Sequence, residues 1–335
     1  MALNVGVIGV GKIGQDHIRR LTETLPGARV VAVSDADGAR AREVASRLDS
    51  AKVYAQGEDV ILAKEVDAVI VTSWGATHAA YVLASIKAGK PVFCEKPLAT
   101  KEADCSAIVD AEAAFGRRLV QVGFMRRFDP QYQAMKKAIA SGAIGAPLIF
   151  QSVHRNASVP AHYTGEMALT DTSVHDIDIA RFLLDDEPVA IAVRAPRRNR
   201  RAGDVADPLV TLIDMRSGAL VVIETSVQIA YGYDIRGEVV GETGAVSLAE
   251  TSDVIVRREG AYFGCVPGDW PERFDRAFDA EFRAWIAAAA KGGAAGSSAW
   301  DGYVATAATL AGVKALSTGA REPIKLRERP ALYAL

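Results

Sequence analysis

The 335-residue sequence predicts an α/β chain in two parts. A doubly wound parallel-sheet domain is expected over residues 1–122, and an α+β domain with a largely antiparallel, open-faced sheet over residues 123–335. Three observations carry this reading. Short runs rich in valine and isoleucine alternate with helical segments through the first third. A glycine-rich turn joins the first strand to the first helix. After about Gly123 the spacing changes to strands punctuated by hairpin-like turns.

In the first domain the expected strands are 5–10, 30–34, 68–72, 91–94 and 119–122. They are apolar on consecutive positions, as strands covered on both faces should be. Helical segments 13–25, 36–48, 77–88 and 101–115 lie between them. Parallel neighbours need a long connection, so the alternation predicts crossover helices. In the second domain Asp129-Pro130 opens a helix to about residue 140, which Gly142 and Gly145 end. A helix over 171–184 follows, then strands at 189–194, 209–215, 219–227, 235–241, 245–248 and 254–257. Arg216-Ser-Gly and Gly241-Glu-Thr-Gly read as hairpin turns, hence the antiparallel sheet. Helices 271–290 and 299–316, joined by a glycine-rich loop from Lys291, complete the domain.

Half of the residues are hydrophobic and 24% charged, which excludes disorder or coiled coil as a description of the whole chain. Lys plus Arg total 39 against 41 acids, a net charge of −2 that supplies no long-range field for nucleic acid or anionic membrane. Arg197, Arg198, Arg200 and Arg201 form a dense basic cluster, read as a solvated loop. No run approaches the ~20 apolar residues of a membrane span. Met1-Ala-Leu-Asn leads straight into a strand, without the charged and apolar regions of a signal peptide. Cys94, Cys105 and Cys265 cannot all pair and lack metal-ligand spacing. A cytoplasmic protein with no metal is expected.

Gly9-Val-Gly11-Lys12-Ile13-Gly14 sits between the first strand and first helix. Gly9 permits the tight turn, Gly11 lets the backbone approach a pyrophosphate, and Gly14 lets helix and strand pack closely. The helix amino terminus offers N–H groups to the phosphates. Asp35 follows Gly14 by 21 positions and ends the second strand, where a carboxylate accepts both hydroxyls of a ribose. The pattern is that of a Rossmann dinucleotide site. A carboxylate there repels a 2′-phosphate, so NAD is favoured; Lys12 and Arg40 soften the repulsion, so weak use of NADP is expected.

The turn Phe93-Cys94-Glu95-Lys96-Pro97 ends a later strand, which places Lys96 at the cofactor crevice. Its ammonium suits donation to a substrate oxygen. Pro97 stiffens the turn and admits a cis peptide. Cys94 is read as packing. Further on, Asp171 and His175 are four apart and share one helix face. A histidine near neutrality accepts an alcohol's proton, and a carboxylate one turn away orients the ring or binds the hydroxyl. The bland alternative is a capping Asp171 and a structural His175. His154, His162, Asp171 and His175 match no zinc motif. Oxidising a secondary alcohol with NAD needs a proton acceptor while hydride leaves the same carbon. Lys96 and His175, meeting across an interdomain cleft, would serve.

With these residues in view, the chain resembles the Gfo/Idh/MocA oxidoreductase family, and within it the inositol 2-dehydrogenase branch. The segments that carry the likeness are GVIGVGKIG from Gly6, VTSWGATH from Val71, FCEKPLAT from Phe93 and QVGFMRRFDP from Gln121. HRN from His154, TDTSVHDID from Thr170 and YGYDI from Tyr231 extend it over nearly the whole chain. The resemblance implies NAD-dependent oxidation of myo-inositol to scyllo-inosose, with Lys96, Asp171 and His175 as catalytic residues and His175 as proton acceptor. It implies that Met125, Arg126, His154, Asn156 and Tyr233 line a cyclic-polyol pocket. Thr72, Ser73, Trp74, His78 and Glu95 would lie along the cofactor. A homotetramer built on the open sheet face is also implied. Another inositol isomer or a pyranose sugar would suit the same chemistry. A dinucleotide-binding sensor without turnover is the reading of another class, and the intact Lys96, Asp171 and His175 set argues against it.

Overall fold

Strands that alternate with helices along the chain assemble side by side in one parallel sheet. The computed structural model describes residues 2–197, 199–249 and 255–334. Among them, β1 (Leu3–Ile8), β2 (Ala28–Ser34), β3 (Lys52–Val53), β4 (Ala68–Val71), β5 (Val92–Glu95) and β6 (Val120–Gly123) pair throughout in parallel. Their order is β3-β2-β1-β4-β5-β6. The chain crosses over between β1 and β4, and in open α/β sheets the ligand crevice lies outside the strand carboxyl ends at such a switch.

The connecting helices are α1 (Lys12–Arg19), α2 (Gly38–Ala45), α3 (Gly57–Leu62), α4 (Gly75–Lys87) and α5 (Glu102–Phe115). Two elements of this first sheet and its connections have no counterpart in the sequence expectations. β3 has two exposed residues and α3 only six, too short for either to show a periodicity. The expected single helix 13–25 closes instead with a π-helical turn, Arg20–Thr24, in which the Leu25 N–H reaches back five residues to Arg20 O at 2.8 Å.

The chain divides into two compact units, and the division differs from 1–122 and 123–335. Unit 1 holds Met1–Phe124, Phe278–Thr306 and Arg327–Leu335; unit 2 holds Met125–Ala277 and Ala307–Leu326. The reason is packing. Phe282, Trp285, Ile286 and Ala289 belong to the same buried cluster as Val5, Val7, Leu21 and Phe93. The Phe282 ring stands 4.5 Å from Phe93 and 4.4 Å from the His17 ring. The C-terminal tail is tied down as well: Tyr333 Oη donates to the buried Glu112 at 2.6 Å, and the other Glu112 oxygen accepts from the Leu119 and Val120 N–H groups at 2.5 Å each.

In unit 2, α6 (Pro130–Ala140) begins at an Asp129 cap whose carboxylate accepts from the Gln131 and Tyr132 N–H groups. The second sheet contains β7 (Pro147–Arg155), β8 (Pro188–Arg194), β9 (Leu209–Met215), β10 (Leu220–Ser226), β11 (Asp234–Gly241) and β12 (Ala245–Ser247). A separate hairpin pairs β13 (Ile255–Arg258) with β14 (Ala261–Gly264), and β15 (Glu322–Pro323) completes the large sheet. Its order is β12-β11-β7-β10-β9-β8-β15; only β7 and β10 run parallel among the described pairs. The sheet is therefore largely antiparallel, as expected. Of the sequence expectations, Arg198 in the basic cluster and Val254 at a strand start lie outside the described residues.

β7 escaped the sequence reading because its inward positions are not all apolar. Phe150, Ser152 and His154 are buried, whereas the alternate positions Gln151, Val153 and Arg155 are not. The polar residues inside break the hydrophobic alternation that marks a strand. Across the opposite face, Gln151, Val222, Leu212 and Ala192 stand in register on four strands and remain at least partly exposed. The remaining helices are α7 (Val174–Leu184), α8 (Trp270–Ala289) and α9 (Ala299–Thr318). Before α7 comes a second π-helical stretch, Ala168–Ser173, where an α-helix from Asp171 was expected. Ser173 Oγ donates back to Ala168 O at 2.8 Å and lies 2.8 Å from Thr225 Oγ1 on β10, which pins the wide turn to the sheet. No helix of the described residues is long and apolar enough to cross a membrane.

The buried aromatic cluster gives a direct check on the composition of unit 1. Phe282→Ala should lower the unfolding free energy by about 3–5 kcal/mol, as removal of a fully buried aromatic does. Urea denaturation would measure it; a loss below about 1 kcal/mol would detach α8 from this core.

Candidate active site

In unit 1 the glycine turn is held in place by contacts that only glycine permits. Gly9 has φ +92°, and a Cβ there would lie 2.5 Å from the Ser73 backbone nitrogen. A Cβ on Gly14 would lie 2.2 Å from Gly9 O. Gly11 is different: a Cβ on it would meet nothing within 4 Å. The first and third glycines are thus required by the protein's own packing. The second leaves open space beside the backbone at the start of α1, as close approach of a pyrophosphate needs. Ile13 is half-buried and Lys12 exposed.

Asp35 ends up at the carboxyl end of β2, its side chain 6% exposed. One oxygen accepts from Val10 N–H at 2.7 Å; the other accepts from Asp37 N–H at 2.8 Å and Arg40 Nη2 at 2.7 Å. Burial works to raise its pKa, but the Arg40 contact and the two backbone donors outweigh it and hold the carboxyl below its ordinary value. The carboxylate is therefore ionised and fixed, suited to a ribose diol. Arg40 stands beside it as a ready cation. These features fit an NAD-type dinucleotide.

The βα turns on either side of the crevice are locked to one another. Thr72 Oγ1 donates to Gly9 O at 2.5 Å. Ser73 Oγ lies 2.7 Å from Thr77 Oγ1. His78 is 1% exposed; its Nδ1 is 2.7 Å from Pro97 O and its Nε2 2.9 Å from Ser73 O. Burial pushes the pKa of His78 down, against the two carbonyls that favour its charged form. His78, expected along the cofactor, clamps the Ser73 turn to the Lys96–Pro97 turn, whose peptide bond is cis. Glu95 likewise holds its turn: Oε1 is 2.7 Å from His17 Nε2, and Oε2 accepts from the Lys96 N–H at 3.2 Å. Lys96 is half-buried, and Trp74, at the start of α4, is 81% exposed and offers a bare aromatic face. Cys94 is fully buried and burial raises its thiol pKa, which leaves it a packing residue.

Unit 2 brings three of the residues expected to line the polyol pocket, Arg126, His154 and Tyr233, into one network with the carboxylate of Asp176. Asp176, one residue after His175 in α7, is fully buried. Its Oδ1 accepts from Arg126 Nη1 at 2.6 Å and from Ser152 Oγ at 2.7 Å. Its Oδ2 is 2.7 Å from His154 Nδ1. Burial would raise the Asp176 pKa, yet Arg126 and His154 hold it well below the usual carboxylate range. Tyr233 Oη is 3.3 Å from His154 Nε2, with the two rings edge to face. The His175 ring centroid lies 6.4 Å from that of His154, and His175 is 8% exposed.

Met125 is buried next to Arg126 in a short 3₁₀ turn. Asn156, half-buried, ties the end of β7 to β10 through its N–H to Ser226 O at 2.8 Å. Asp171 sits half-buried in the π-helical turn; burial raises the pKa of Tyr163, and the Asp171 charge adds to that rise. His162 is exposed. Asp176 and Ser152 complete this buried network and are not among the site residues expected from the sequence. The string His175-Asp-Ile-Asp178 held the signal, but the role of Asp176 depends on β7, which was not recognised.

Comparison with known proteins bears on both units. Residues 3–124 match the model of an oxidoreductase family with an NAD-binding Rossmann fold, and residues 132–247 match the GFO/IDH/MocA C-terminal domain. Inositol 2-dehydrogenase 3 of Saccharopolyspora erythraea is 51% identical over 334 residues, 99% of this chain and 98% of that protein. Inositol 2-dehydrogenase of Burkholderia cenocepacia is 48% identical over 335 residues, 99% of each chain. The crystal structure of Lactobacillus casei myo-inositol dehydrogenase with NAD(H) and myo-inositol superposes with a TM-score of 0.97 at 36% identity, covering 100% of both chains.

The contrast among the glycines is testable. Gly11→Ala should leave the thermal midpoint of the cofactor-free protein unchanged and weaken NAD binding by about tenfold or more. Gly9→Ala should lower the midpoint itself. Calorimetry with NAD titration separates the two, and a Gly11→Ala protein that binds NAD normally would remove the pyrophosphate from this turn.

Proposed function

The chain belongs to the Gfo/Idh/MocA oxidoreductase family, and we propose that it oxidises myo-inositol to scyllo-inosose with NAD as hydride acceptor and His175 as the base. The observation that carries this reading is the cluster in unit 2. Arg126, His154 and Tyr233 are buried polar groups joined through Asp176, beside His175, and such fixed donors and acceptors suit a ring that carries a hydroxyl on every carbon. The inositol dehydrogenases to which the chain is similar along its whole length support the same substrate class.

In this reading NAD supplies only the acceptor for hydride, and the protein's residues do the rest. Gly9, Gly11 and Gly14 shape the phosphate turn, and Asp35 takes the ribose hydroxyls. The Lys96 ammonium donates to the reacting oxygen and favours its anionic form. The His175 imidazole takes the hydroxyl proton, which makes the carbon a better hydride donor. Asp171 orients His175 and accepts from a neighbouring hydroxyl. Met125, Arg126, His154, Asn156 and Tyr233 hold the other hydroxyls, so the isomer with the right axial and equatorial pattern is selected.

Purified protein mixed with NAD and a panel of inositols and aldoses should produce NADH fastest with myo-inositol. His175→Ala should lower kcat at least about a hundredfold, the lower end of what a general base contributes, with NAD affinity unchanged. A tenfold preference for a pyranose would overturn the substrate, and an unchanged kcat would remove His175 as base.

A further inference from the structure

We propose that Arg40 sets the choice between NAD and NADP: it occupies an acceptor position on Asp35 that a ribose diol needs, and it is the cation available to a ribose 2′-phosphate. NAD displaces it from the carboxylate, whereas NADP engages it. This rests on the dinucleotide part of the proposed function and is independent of which polyol is oxidised.

The argument is one of acceptor capacity. A carboxylate presents about four lone-pair positions. Asp35 already accepts three hydrogen bonds: from Val10 N–H on Oδ2 at 2.7 Å, and from Asp37 N–H at 2.8 Å and Arg40 Nη2 at 2.7 Å on Oδ1. That leaves one position, and the paired hydroxyls of a ribose donate twice. Two of the present donors are backbone groups held by the fold. Val10 follows Gly9, whose own N–H is tied to Ser34 O at 2.8 Å. Asp37 caps α2, its Oδ1 accepting from the Ala39 and Arg40 N–H groups at 3.0 and 3.1 Å. The remaining donor is a side chain in the first turn of α2, 42% exposed. Arg40 is the one that can leave.

Its present contact uses only part of the guanidinium. Arg40 meets Asp35 through Nη2, and its Nε, shut off from solvent, has no acceptor among the described residues. A guanidinium carries five donors in a rigid plane, a fork that matches phosphate oxygens in pairs. An ion pair as open to water as this one is weak, so little opposes its exchange for a phosphate. The surroundings set the order of preference. Asp35 and Asp37 both act on the Arg40 charge, and two carboxylates around one cation favour a neutral diol over a dianionic phosphate.

Calorimetric titration of the cofactor-free protein with NAD and with NADP tests the proposal without turnover. Arg40→Met keeps an unbranched apolar side chain and removes the guanidinium. Its Kd for NAD should fall about two- to fivefold, the strength of an exposed ion pair that no longer has to be broken. Its Kd for NADP should rise at least about tenfold, as loss of a charged hydrogen bond does. The opposite directions are the signature, since general damage to the turn would weaken both cofactors. Unchanged NADP binding by Arg40→Met, or weakened NAD binding, would overturn the proposal. A wild-type protein that binds neither cofactor would overturn it together with the dinucleotide reading. A wild-type protein that oxidises no inositol while the variant shows the opposite shifts would count against the proposed substrate and support the role of Arg40.

Discussion

A charge shut away from water has to be matched at atomic distance, and in the second unit the Asp176 carboxylate imposes that requirement on everything around it. Its partners reach α7 from two other places in the chain: Arg126 from the turn after β6, and Ser152 and His154 from β7. Such a buried pair adds little net stability compared with well-packed apolar side chains. Removing one member leaves an uncompensated charge and costs roughly 3–5 kcal/mol. The cluster is thus better understood as a device for fixing orientation than as a source of stability.

The first unit solves a different problem with backbone rather than side chains. Its phosphate turn is set by close approaches between Gly9, Gly14 and the turn after β4, and Thr72 and His78 fasten that turn to its neighbours. Lys96 therefore stands on a turn held from two sides, by His78 at Pro97 and by Glu95 at its own N–H. Rigid placement of the groups at a crevice lowers the reorganisation needed when charge develops. The core beneath is completed by Phe282 and Trp285, far along the chain, so the dinucleotide-binding unit is not a contiguous segment.

The parts legible in the sequence are those whose local pattern carries their cause. The glycine turn, Asp35, the Glu95-Lys96-Pro97 turn and the valine-rich strands of the parallel sheet announce themselves because turn geometry and double-sided burial act on neighbouring residues. The interior strand β7 of the second unit does not, because Ser152 and His154 occupy inward positions where an apolar residue is the usual sign of a strand. Asp176 was hidden for the same reason: a carboxylate in a helix reads as solvated until the strand that buries it is known. The contribution of α8 to the first core was equally invisible, since no local pattern says which of two cores an amphipathic helix will join. The wide π-helical turn before α7 likewise depends on the tertiary bond from Ser173 to Thr225.

Direct passage of a hydride from an inositol carbinol carbon to NAD is the step on which the proposed reaction depends. Myo-inositol deuterated at carbon 2 and incubated with NAD and the enzyme tests this by mass spectrometry of the reduced cofactor. The NADH formed should carry one deuterium, and turnover of the labelled substrate should be slower or equal, never faster. Unlabelled NADH from fully labelled myo-inositol would contradict it.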